Sequence, residues 1–125
     1  MTRRLIGRYH ELQVYEAAFD TAMQVLEVSR GLPEEEQKLR SQMVRSSRLV
    51  CANIAEAWQR RRYENAFVGS LNAAEVGVAE TQTWVEFAVS CGYVDAEVGQ
   101  EMMFRYTEIL AVLGRMIEQA DSWTF

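Results

Sequence analysis

Leu12–Glu36, LQVYEAAFDTAMQVLEVSRGLPEEE, sets the architecture of the whole chain. Its apolar residues return every three or four positions. Leu12, Tyr15, Phe19, Ala22 and Leu26 form one row, and Val14, Ala18, Val25 and Val28 form a second beside it. One row suffices for a surface helix; two make an apolar face wide enough to meet more than one neighbour. The pattern stops at Gly31, a helix-ending residue, and Pro33 suits the first turn of a new helix, where its missing N–H costs nothing. Glu34, Glu35 and Glu36 follow, where carboxylates favour the positive end of a helix dipole. The expectation is a helix over 10–30, a tight turn, and a second helix from 33.

The same spacing continues outward. Leu39, Met43, Val50, Ile54 and Ala57 line a helix over 33–60, with Ser46, Ser47, Ala52 and Ala55 as small residues that permit close approach. The run Arg60-Arg61-Arg62 marks its end, where cations complement the dipole. A third helix over 64–91 carries Phe67, Leu71, Ala74, Val78, Val85 and Ala88. Gly69 and Gly77 lie inside it, each costing up to about 1 kcal/mol relative to Ala, which suggests close packing against another helix. Gly92 closes that helix, and Asp95 caps a fourth over 95–121 through Val98, Met102, Tyr106, Ile109, Leu113, Met116, Ile117 and Ala120. No strand-like alternation, long linker or internal repeat interrupts the pattern. Short turns force antiparallel neighbours, so the reading is all-α: one antiparallel up-down-up-down four-helix bundle over 1–125. Its apolar faces are too broad for a lone core, which predicts self-association.

At 125 residues, the chain has room for one core. Its 49% hydrophobic and 25% charged content is that of an ordinary globular protein. No apolar stretch approaches the roughly 18 residues of a membrane span, and Arg3 and Arg4 precede only two apolar residues, too few for a secretion signal. Cys51 and Cys91 therefore read as reduced thiols of a cytoplasmic protein.

The net charge of −5 argues against whole-surface attraction to nucleic acid or acidic membranes. The charge is nonetheless segregated. Residues 38–62 carry seven bases against Glu56 alone, whereas residues 63–125 carry ten acids against two arginines. Twelve of the thirteen bases are Arg, whose planar forks grip carboxylates and phosphates at two points. Two readings of the basic segment stand side by side: it neutralises acidic neighbours, or Arg40, Arg45, Arg48, Arg60, Arg61 and Arg62 form a surface for nucleic acid or a partner.

Catalytic and metal chemistry finds little support. His10 is the single histidine, which leaves no Glu-x-x-His pair for a di-iron site, no His-based zinc set and no Ser-His-Asp triad. Its place at the start of the first helix marks it as an exposed or capping residue. The cysteines have no CxxC spacing, and no glycine-rich phosphate loop occurs. No catalytic residue, metal ligand or cofactor is assigned. Glu56 and Glu80 lie in apolar stretches of neighbouring helices; with Asn53 they form a candidate structural polar network that fixes register, the alternative being acid–base work by the two carboxylates. The tail residues Trp123 and Phe125 either fold back on the bundle or touch another chain.

Leu39–Arg62, LRSQMVRSSRLVCANIAEAWQRRR, resembles the bacterial four-helix-bundle family first described as proteins encoded by intervening sequences of 23S rRNA. The likeness lies in LRxQxxRxxxxxxxNIAE followed by an Arg-containing turn. A second block, Ala79–Val94, AETQTWVEFAVSCGYV, is similar to that family's helix-three ending, and Tyr15-Glu16-Ala17-Ala18 is compatible. Ala57 departs from the pattern where Gly is common, Trp58 and Gln59 replace a small polar turn, and Gly77 stands where Ser is frequent. The resemblance implies a non-enzymatic homo-oligomeric helical barrel, typically of five subunits. It also implies a kinship in fold with the accessory protein of diversity-generating retroelements, a basic pentamer that binds a reverse transcriptase and RNA or DNA.

Overall fold

The computed structural model describes Tyr9 and residues 12–123. Four long helices dominate: α1 (Gln13–Ser29), α2 (Gln37–Gln59), α3 (Glu64–Ser90) and α4 (Ala96–Glu118); a short α5 (Ala120–Trp123) follows. A 3-10 turn over Glu34–Glu36 leads into α2, and no strand occurs among the described residues. Each long helix packs on the next, α1 also packs on α4, and the α2–α3 contact is the most extensive. The backbones of the diagonal pairs α1–α3 and α2–α4 stay apart, with no two Cα atoms within 8 Å. His10, Thr124 and Phe125 lie outside the described residues, so the sequence expectations for them stand as they were.

The helix ends follow local chemistry. Gly92 takes φ +80°, the left-handed region open to glycine, and closes α3: its N–H reaches the Val89 carbonyl and the Tyr93 N–H the Ala88 carbonyl, both at 2.9 Å. Asp95 caps α4, its carboxylate accepting from the Glu97 N–H at 3.2 Å. Gly31 follows the C-cap Arg30, where α1 stops as expected. It is not left-handed; α1 ends at Ser29 and the chain turns through tight i→i+3 bonds, Gly31 to Val28 and Leu32 to Ser29.

Both apolar rows of α1 find their places in the packing. Val14, Ala18 and Val25 of the second row are buried with Thr21 and Ala22. The first row is only half covered, with Tyr15 and Leu26 partly exposed and Phe19 48% exposed. The core contains Met43, Ile54, Phe67, Leu71, Met102, Tyr106 and Leu113, fully buried side chains that each contribute on the order of 1.5–3 kcal/mol of burial for an aliphatic or aromatic group. Trp123 is half-buried against this core, and α5 touches α3 and α4.

Gly77 is a close-approach glycine. A Cβ there would stand 3.1 Å from Val50 Cγ2 and 3.4 Å from the Ser46 carbonyl, so its absence sets the α2–α3 separation. Gly69 is not: nothing lies within 4 Å of its Cβ direction, and the expectation of close packing there is corrected. Gly99 is the tighter case, since a Cβ there would run into Val89 Cγ2.

Candidate functional site

The arginines of α2 and its following turn divide into two sets. Arg40 Nε donates to the Ser29 carbonyl at 3.0 Å, and its Nη2 donates to the carbonyls of Leu32 and Pro33. These carbonyls lie at the C-terminal end of α1 and in the turn beyond it, where few backbone N–H groups are left to serve them, so Arg40 acts as a remote cap. Its Nε and Nη2 are thereby engaged within the chain, while the half-buried side chain also lines the groove that Arg45 and Arg48 border. Arg60 pairs with Glu56 at 3.3 Å across one helical turn, both side chains about half exposed. Arg61 lies 3.8 Å over the Trp58 ring and donates to the Trp58 carbonyl at 2.7 Å. Burial, then the neighbouring Arg62 charge, lowers the Arg61 pKa.

Arg45, Arg48 and Arg62 are exposed and make no hydrogen bond or ion pair within the described residues. Arg45 and Arg48 border a shallow groove of about 570 Å³ along the outer side of α2, together with Val44, Leu49 and Ala52. Arg62 adjoins Tyr63, whose ring is 66% exposed.

The polar network expected from Asn53, Glu56 and Glu80 does not form within the chain. Asn53 Nδ2 donates to Leu49 O of its own helix at 2.9 Å, Glu56 is taken by Arg60, and Glu80 is exposed. Steps of about 100° per residue place Asn53 and Glu56 off the buried row of Val50, Ile54 and Ala57 on α2, and Glu80 off the buried row of Ala74, Val78 and Val85 on α3. Ser46 and Thr81 do the cross-helix bonding instead: their hydroxyls hydrogen-bond at 2.8 Å inside the core, and Thr81 also donates to the Gly77 carbonyl at 2.8 Å. The fully buried Tyr106 hydroxyl sits beside Thr81 without a well-formed hydrogen bond, and burial drives its pKa strongly upward. Sequence reading had counted Ser46 as a spacer and passed over Thr81; a Ser and a Thr on the buried rows of α2 and α3 were the available signal.

Outside the core, Phe19, Met23, Leu49, Val76, Phe87 and Phe104 are 40–63% exposed. A crevice of about 240 Å³ opens between α1 and α2, lined by Tyr15, Phe19, Met23, Leu26, Arg48 and Cys51. Among the described residues no group of His, Cys, Asp or Glu is placed to hold a metal ion, and no helix is long and apolar enough to cross a membrane.

The family model for the 23S rRNA-intervening sequence protein matches residues 10–115, most of the chain and all four long helices except the last residues of α4. The chain belongs to the 23S rRNA-intervening sequence protein family. The fold agrees: the crystal structure of a protein with unknown function from the S23 ribosomal protein family of Bacteroides thetaiotaomicron VPI-5482, at 1.70 Å, superposes with a TM-score of 0.77. That protein is 26% identical, and the alignment covers 85% of this chain and 96% of that one. No curated protein sequence matches. In this family member Ala57 and Trp58 are buried helical residues of α2, and Trp58 supports Arg61. The turn after α2 is thus filled by an aromatic–guanidinium stack.

Proposed function

We propose that this member of the family is a non-enzymatic scaffold of the cytoplasm. Its helices form an antiparallel up-down-up-down bundle, and copies associate side by side into a homo-oligomeric barrel, with five subunits as the family resemblance suggests. Opposite helix directions are supported by contacts that run in reverse order along α2 and α3: Glu36 with Tyr93, Ser46 with Thr81, Val50 with Gly77. Between α3 and α4, Gln82 bonds the Met103 carbonyl while Val89 abuts Gly99.

The observation that carries the reading is the set of large apolar side chains left on the surface, on the same chain as a closed core. Association hides them, and each added copy repeats Arg45 and Arg62. A weak arginine contact repeated around a ring gains avidity without any new interaction, provided that a partner spans neighbouring copies. Light scattering at micromolar concentration tests this: a defined oligomer is expected, and a stable monomer removes the reading.

A second reading, association with RNA, DNA or a reverse transcriptase in the manner of the retroelement accessory protein, draws on Arg62 beside the exposed Tyr63. Guanidinium and an open aromatic face are the two elements of single-strand binding. Titration of labelled RNA at low and moderate salt tests it, since phosphate contacts weaken steeply with salt. No binding at low salt rejects it.

A further inference from the structure

We propose that the α1/α2 crevice of one copy receives the outer face of α3 from a second copy, with Arg48 of the first pairing with Glu80 of the second. This rests on the oligomeric reading above and names the surfaces that meet. The crevice is apolar, walled by Tyr15, Phe19, Met23 and Leu26, with Arg48 as its cation. On α3, Val76, Glu80, Thr83 and Phe87 follow one another at steps of three and four, and all are exposed. Val76 and Phe87 are 60% and 55% exposed, and the Phe87 ring stacks on Trp84 with centroids 6.3 Å apart. The α3 ridge is therefore apolar, stiffened by an aromatic stack, and carries one anion. Arg48 and Glu80 each make no ion pair or hydrogen bond inside the described chain, so each charge stands beside an apolar patch without a partner.

Shape agrees with charge. From Tyr15 to Leu26 and from Val76 to Phe87 the two surfaces are each about three helical turns long. Their placement also makes the contact one between two different surfaces. Gly77 and Thr81 face α2, and Glu80 and Trp84 flank them, so the ridge lies on α2's side of α3. Crevice and ridge thus occupy neighbouring sides of the bundle, on either side of α2. Contact between two different surfaces is heterologous: it closes a ring where the rotation per copy closes and otherwise runs on as a filament.

The test is a charge exchange read by sedimentation velocity across micromolar concentrations. Arg48→Glu and Glu80→Arg are each expected to weaken association at least tenfold, and the double variant to restore the wild-type species; Glu108→Arg on α4 leaves it unchanged. Circular dichroism checks that every variant keeps its helices. A wild-type monomer removes the oligomeric reading itself. A wild-type oligomer untouched by either single exchange leaves that reading in place and overturns this interface. Loss in both singles without recovery in the double variant overturns the Arg48–Glu80 pairing.

Discussion

Thr81 and Ser46, 35 positions apart in the chain, share a 2.8 Å hydrogen bond in the buried contact between α2 and α3. It lies one turn from Gly77, the residue that lets the two helices approach so closely. A polar pair in an apolar seam favours one axial setting of the two helices, because a slip breaks the hydroxyl–hydroxyl bond and leaves each hydroxyl only the carbonyl of its own helix, Gly77 for Thr81 and Met43 for Ser46. Thr81→Val is expected to lower unfolding free energy by about 1–2 kcal/mol, and Ser46→Ala by a similar amount. Urea titration of both and of the double variant checks the coupling, which appears as a double loss smaller than the sum.

The glycines of α3 separate cleanly by environment. Gly69→Ala meets open space and gains up to about 1 kcal/mol of helix propensity. Gly77→Ala gains the same propensity but drives a methyl to 3.1 Å from Val50, an overpacking cost of roughly 1–3 kcal/mol. Melting temperatures should therefore rise for the first and fall for the second. Equal shifts would show that α2 and α3 separate freely.

Arg40 and Arg45 lie on one helix yet do different work. Arg40→Ala strips hydrogen bonds from three turn carbonyls and is expected to destabilise by about 2 kcal/mol. Arg45→Ala, exposed and unbonded, stays within about 0.5 kcal/mol. Guanidinium titration at fixed protein concentration distinguishes them.

Tyr93 links stability to alkaline pH. Its hydroxyl donates to the Glu36 carboxylate at 2.8 Å; that bond, then desolvation, then the Glu36 charge raise its pKa from 10.0 to about 12. The folded state holds the proton more tightly than the unfolded one. The contribution is thus complete below about pH 10 and is lost as pH rises toward 12. Unfolding midpoints measured from pH 8 to 12 should fall more steeply for wild type than for Tyr93→Phe; parallel curves would deny the link.

The two thiols should report the packing directly. Cys91 is exposed, whereas Cys51 is buried and desolvation pushes its pKa up to about 11. Thiolate is the reactive form, so a thiol reagent at neutral pH should label Cys91 quickly and Cys51 only after denaturation. Rapid labelling of both in native buffer would contradict the α1–α2 packing around Cys51.

Much of this protein was legible residue by residue. The four helical segments, the Gly92 closure and the Asp95 cap depend on local backbone preferences and a 3.6-residue period, which a linear sequence displays. The site was less legible. Asn53, Glu56 and Glu80 look like core polar residues when read by their apolar neighbours, yet rotation about the helix axis turns them away from the buried row. Arg40 looks like its arginine companions, but only the folded turn brings the carbonyls of Ser29, Leu32 and Pro33 to it.

Periodicity alone therefore determined that these are amphipathic helices with wide apolar faces, because side-chain spacing along one helix is a local property. Which row of α1 is covered, which arginines remain free, and that Ser46 meets Thr81 were decided by tertiary structure. Those outcomes depend on how each helix is rotated and slid against its neighbours, and that setting is fixed by contacts between residues far apart in the chain.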